Sequence, residues 1–75
     1  MPKLPIISGK NLLKILKKYE YVQVRQKGSH VFVEDKNGEL STVIPVHRNE
    51  DLGKGLLRSI INDLELDVED LLNMI

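Results

Sequence analysis

The sequence predicts an α+β fold in the order α-β-β-β-α(-α), a three-stranded antiparallel sheet with helices packed on one face. Three observations carry that expectation. Apolar residues recur at helical spacing near both ends, a period-two stretch lies between them, and two glycine-bearing turn signals interrupt that stretch. The 75 residues form one domain, 1–75, with no room for a second.

Pro2 and Pro5 hold the first residues extended, and Ser8 is the expected helix N-cap, because its hydroxyl can accept an orphan N–H of the first turn. Leu12, Ile15, Leu16 and Tyr19 then fall at i, i+3, i+4 and i+7, one apolar face of a helix over roughly Gly9–Tyr19. Lys10, Lys14, Lys17 and Lys18 lie on the opposite face. Like charges four apart cost a helix roughly 0.2–0.5 kcal/mol per pair, so the stripe does not serve folding. It is either a solvated face or a surface for an acidic partner.

Tyr21 to Gln26 alternates as a strand, and Lys27-Gly28 reads as a two-residue turn. Ser29 to Asp35 is the second strand, Asn37-Gly38 the second turn, and Leu40 to Val46 the third strand. With those loops Val24 faces Val31, Val22 faces Val33, Val33 faces Thr42 and Val31 faces Ile44. One face then collects the valines, Thr42 and Ile44 and is expected to be buried. The other sets Arg25 directly opposite His30, with Tyr21, Gln23, Phe32, Val43 and Pro45 on the same side. Pro45 cannot donate to a ladder, so its strand is an edge or ends there. Beyond His47, Leu56, Leu57, Ile60, Ile61 and Leu64 predict a helix over about Lys54–Leu64. Asp67 caps a last short helix carrying Val68, Leu71 and Leu72.

Size and charge narrow the function. A domain this small hides only about 60% of its unfolded surface, which excludes a deep enclosed cavity and leaves a surface site, a groove or an interface. There is no cysteine, so neither a disulfide framework nor a thiolate site. The longest apolar run is three residues, too short for a membrane span or a signal segment, and the expected compartment is the cytoplasm. The net charge is zero, yet residues 1–30 carry seven Lys/Arg against Glu20, while residues 31–75 carry four against ten acids. That asymmetry fits a polyanion-binding face as well as two solvated surfaces of opposite sign.

The chemistry-bearing residues are few. His30 and His47 are the only histidines, and no HExxH or paired-histidine spacing occurs, so no metal is expected. No phosphate-cradling glycine loop is present, and no cofactor is implied. Gly28-Ser29-His30 concentrates what remains: a glycine for a tight turn, a hydroxyl, and an imidazole beside Arg25. Imidazole titrates in the physiological range and suits general acid–base work. From spacing alone a plain surface histidine at a sheet edge is the favoured reading.

The stretch Val24-Arg25-Gln26-Lys27-Gly28-Ser29-His30, the segment Ile44-Pro45-Val46-His47 and the segment from Leu52 to Ile60 resemble the HicA toxin family, as does the opening Ser8-Gly9-Lys10. The resemblance runs from Ser8 to about Leu72. It implies a double-stranded-RNA-binding-like fold, mRNA interferase activity in a type II toxin–antitoxin system, and His30 as the catalytic residue. It also implies a HicB-like antitoxin that binds the toxin and covers the histidine. Glu20 stands where the family commonly has glycine, Gly55-Leu56-Leu57 replaces its Gly-Thr-Leu, and the Gln-Ala-Gly near the end of the second helix is absent.

On this reading the protein is an endoribonuclease that cleaves RNA with one histidine and no metal. Arg25, Lys27, Gly28, Ser29, His47, Lys10, Lys14 and Lys17 are the expected RNA-contacting residues, and Tyr21 or Phe32 is a candidate to stack a base. The alternatives are a non-catalytic RNA-binding domain of the same fold, which would not need His30, and a protein-binding module whose basic helix docks an acidic partner.

Overall fold

A computed structural model describes residues 3–75, so the expectation for Pro2 lies outside the described residues. The elements are α1 (Gly9–Lys18), β1 (Val22–Lys27), β2 (His30–Glu34), β3 (Ser41–Pro45), a 3-10 turn (His47–Asn49), α2 (Lys54–Asp63) and α3 (Val68–Met74). The strands pair antiparallel in the order β1-β2-β3, so the α+β class and the α-β-β-β-α-α order hold as predicted.

One core lies between the sheet and the helices. Val31, Val33 and Ile44 of the sheet meet Leu12 and Leu16 of α1, Leu57, Ile60 and Ile61 of α2, and Leu71 of α3. Burying each such side chain is worth roughly 1.5–3 kcal/mol, and this apolar layer holds the helices to one face of the sheet. Thr42 is the polar residue in that layer, and its hydroxyl donates to Asp63 Oδ2 at 2.9 Å, tying β3 to the end of α2.

The β2–β3 register matches the predicted one: Val31 faces Ile44 and Val33 faces Thr42. Pro45 is the last residue of β3, an edge strand. The β1–β2 register does not match. The hairpin loop is Gly28-Ser29, not Lys27-Gly28, so Lys27 pairs with His30 and Arg25 pairs with Phe32. Arg25 is therefore not opposite His30. Gly28 takes φ +59° and is the loop residue with positive φ, which suits a two-residue loop whose first central position is glycine. A bulge between Gln23 and Arg25 then reverses the alternation, and Gln23 pairs with Val33. Val22 and Val24, expected in the core, remain 49% and 47% exposed on the outer side.

Both long helices end with a residue in the left-handed region. After α1, Tyr21 N–H donates to the Leu16 carbonyl (3.1 Å) and Glu20 N–H to the Lys17 carbonyl (3.2 Å), a Schellman motif with Glu20 at φ +70°. After α2, Leu66 N–H and Glu65 N–H repeat it on Ile61 and Asn62, with Glu65 at φ +56°. The turn after α1 thus forms without a glycine, with a glutamate held in a backbone region that glycine tolerates better. Glu20 is offset only by an exposed 3.5 Å ion pair with Lys36, which contributes little. Glu20→Gly is expected to gain about 0.5 kcal/mol and to raise Tm by roughly 2–4 °C in thermal denaturation.

Tyr21 packs against the core beside that turn. Burial, then the nearby carboxylates of Asp35 and Asp70, push its phenol pKa up from the ordinary tyrosine value.

Candidate functional site

The β1–β2 turn is built to present His30. Gln26 Nε2 donates to the Gly28 carbonyl at 2.9 Å, which braces the loop from within. Val46 N–H, one residue past β3, donates to the Ser29 carbonyl at 2.8 Å, which ties the loop to the third strand. His30 opens β2 between Lys27 on one neighbouring strand and Pro45 on the other, on the face turned away from the helices. Its side chain is exposed.

His47 follows Val46 and starts the 3-10 turn, closed by Glu50 N–H donating to its carbonyl at 3.0 Å. Arg48 and Asn49 take φ +51° and +58°, two successive left-handed residues without glycine. Backbone in such a region persists only where its surroundings hold it. The hold comes from the chain's start: Ser8 bridges Asp51, and Leu52 N–H donates to the Ile7 carbonyl at 2.8 Å. Ser8 also caps α1, its hydroxyl accepting from Asn11 N–H at 3.1 Å, as predicted. Gly9 beside it is buried, and a side chain there would overlap the Pro45 carbonyl oxygen and meet Ile44 Cγ2 at 3.2 Å. The start of α1 therefore presses on the segment that leads from β3 to His47.

Strand and helix directions sort the charges by end of the molecule. β1 ends, β2 begins and β3 ends at the hairpin turn, and α1 and α2 both begin there. Lys10, Lys27, Arg48 and Lys54 thus lie at the same end as both histidines, where Glu50 and Asp51 are the carboxylates, and the two helix N-termini add positive partial charge. Glu20, Asp35, Glu39, Asp63, Glu65 and Asp70 lie at the other end. Arg48 was not singled out from the sequence, because it sits in the half of the chain that is acidic by count. Lys3, Lys54 and Arg58 line one groove beside the start of α2.

The other expected residues divide. Lys27, Gly28, Ser29, His30 and His47 come together around the hairpin turn. Arg25 lies farther along the same outer face, its guanidinium 4.4 Å above the Phe32 ring. Phe32 is half-buried, and Tyr21 is packed into the core edge at the far end. Lys14 and Lys17 lie about 6 and 10 Å farther along α1 than Lys10, in the helical layer behind the sheet. Among the described residues no three His, Cys, Asp or Glu side chains gather as metal ligands, and no helix is long and apolar enough to cross a membrane.

The family model described as HicA toxin of bacterial toxin–antitoxin matches residues 9–66. The chain belongs to the HicA toxin family. The match opens on Gly9 and closes on Leu66, whose amide completes the turn after α2. It takes in the whole sheet, both histidines and the turns that brace them. No curated protein matches the chain. As a HicA-family chain the protein is of the toxin class of a bacterial toxin–antitoxin pair.

Proposed function

We propose that this HicA-family chain is an mRNA interferase, an endoribonuclease in which His30 moves a proton while a ribose 2′-OH attacks the adjacent phosphorus. The observation that supports this best is the placement of His30. It is exposed on a strand end, flanked by Lys27, anchored through the Ser29 carbonyl, and set at the cationic end of the molecule. A base of this kind takes the proton of the 2′-OH, or as an acid gives one to the departing 5′-oxygen. Such a group contributes typically 10²–10⁴-fold to a rate. The other proton is handled by His47 or Ser29, which share the hairpin end, or by water. Lys27, the Gly28-Ser29 loop and Lys10 hold phosphates near His30, and Arg25 holds one farther along the outer face. Lys14 and Lys17 extend the cationic track along α1. The site is a surface, so the substrate is single-stranded or locally opened RNA.

The outer face also supports a HicB-like antitoxin as partner. Val24, Val43 and Leu56 are exposed around a groove of about 650 Å³ that runs from the outer face over the β3 edge to α2 and carries Glu34 and Asp63 as well as Arg25. Beyond Arg25 those carboxylates disfavour RNA phosphates, while the apolar rim suits a protein that would cover His30 at the same time. The cytoplasm is where both ligands would be met.

Cleavage of RNA by the purified chain is expected to proceed unchanged in EDTA, since no ligand set surrounds His30. Complete inhibition by the chelator, restored by one divalent metal, would overturn the proton-transfer account. Lys14→Gln/Lys17→Gln is expected to weaken RNA binding for all sequences alike and to flatten the log–log salt dependence by about 1.4, roughly 0.7 per lost phosphate contact. Its thermal stability should hold or rise slightly as like-charge repulsion is relieved. An unchanged slope would leave the stripe as a solvated face or an antitoxin contact.

A further inference from the structure

β1 is left uncovered on the side that faces the helices. Gln23 pairs with Val33 and Gln26 with Val31, so both glutamines point to the core side of the sheet, yet both are exposed. The result is a groove of about 360 Å³ under the β1 edge, within the size range of small-ligand sites. Lys10 stands on its helix side, Arg48 and Asn49 at its end, and Gln23 and Gln26 along its sheet side. No acidic residue lines it, in contrast to the groove on the outer face.

Its composition points to one kind of ligand. Lys10 and Arg48 are phosphate partners of ordinary chemistry. Three carboxamides, each with a donor and an acceptor side by side, match the paired donors and acceptors on the edge of a nucleobase. Gln26 is already oriented, because its Nε2 is engaged by the Gly28 carbonyl and its Oε1 is left to accept. The groove also adjoins the hairpin site through the chain itself. Val31 follows His30, and Val46 precedes His47 and binds the Ser29 carbonyl. A single strand bent over the β1 edge would run from the groove to His30.

We infer that this groove is a base-reading subsite for single-stranded RNA. Lys10 and Arg48 take the backbone phosphates, and Gln23, Gln26 and Asn49 read one unstacked base. The inference rests on the ribonuclease reading and deepens it: the groove, and not the shallow surface around His30, would carry the sequence preference.

The test uses the full chain with His30→Ala, so that RNA stays intact, and short single-stranded homopolymers of A, C and U titrated over a salt series. Lys10→Gln/Arg48→Gln is expected to flatten the salt dependence by about 1.4 for every homopolymer. Arg48→Lys should restore that slope when combined with the wild-type Lys10. Gln23→Ala/Asn49→Gly should leave the slope alone and shrink the spread of affinities among the homopolymers by roughly fivefold or more. Asn49→Gly respects the positive φ at that position, and melting curves check that each variant is folded. RNA binding by the parent with both slope and spread unchanged in the groove variants would overturn the subsite while leaving the ribonuclease reading in place. Loss of antitoxin binding alone in those variants would also overturn it and assign the groove to a protein. A parent that binds no RNA would overturn both, and is told apart from the other outcomes at once.

Discussion

His30→Ala should lower the rate of RNA cleavage by about 10²–10⁴-fold, the contribution typical of a general acid or base, and leave the fold intact. The expectation of an intact fold comes from the position of the residue. His30 is exposed, and the contacts that hold the turn run through backbone groups of Gly28, Ser29 and Val46 and the side chain of Gln26. Removing the imidazole leaves all of them in place and opens no cavity, and surface substitutions of this kind usually change stability by no more than about 0.5 kcal/mol. RNA affinity should change little, because Lys27, Lys10 and Arg48 remain. Melting curves and cleavage rates on the same preparation check the separation. A large fall in Tm in His30→Ala would make the residue structural.

Gly9→Ala should do the reverse and act through the fold. The added methyl would overlap the Pro45 carbonyl oxygen, a backbone atom that no rotamer change can move. Two effects oppose one another here. Alanine is the better helix former by up to about 1 kcal/mol, but Gly9 is the first residue of α1, where little of that gain is realised. Overpacking a buried site costs typically 1–3 kcal/mol, and a clash with backbone belongs at or above the top of that range. The clash wins. A loss of about 3 kcal/mol would lower Tm by roughly 12–24 °C in a domain of this length. The damage should reach the site as well. Displacing Pro45 strains the Val46–Ser29 hydrogen bond and the start of the His47 turn, so cleavage should fall even at temperatures where the variant remains folded. Thermal denaturation and cleavage at low temperature measure the two effects separately.

The parts of the fold with two independent signals were legible in the sequence. The β2–β3 register had alternation in both strands, Asn37-Gly38 between them and Pro45 to mark the end, and it formed as predicted. Ser8 and Asp67 announced their helices by side-chain chemistry, and Asp67 forms a reciprocal capping box with Asp70. β1 had only its alternating valines. Alternation shows that a strand has two faces without showing which face is covered, and Lys27-Gly28 and Gly28-Ser29 are both acceptable two-residue loops. Glycine took the first loop position, the bulge near Val24 restored hydrogen bonding, and Val22 and Val24 turned outward.

The site was legible to a similar depth. Gly28-Ser29-His30 and His47 share one end of the sheet, as their spacing suggested. The charge distribution was read by halves of the chain, but the fold sorts it by ends. Arg48 and Lys54 come from the acidic half and lie at the end that carries the histidines, while Lys17 and Lys18, from the basic half, close α1 at the far end. That regrouping follows from the antiparallel course of α1, α2 and the strands, which linear order does not display. The groove under β1 was equally hidden, since it depends on the bulge that sends Gln23 toward the core side.

On the proposed reading one histidine on an exposed strand end cleaves RNA by proton transfer. The most direct measurement compares wild-type protein with His30→Ala on the same single-stranded RNA, in chelator, with protein in excess. Cleavage by the wild type is expected, with rates lower by about two to four orders of magnitude in the variant and RNA bound by both. Equal cleavage by the two proteins, or none by a wild type that still binds RNA, would contradict it.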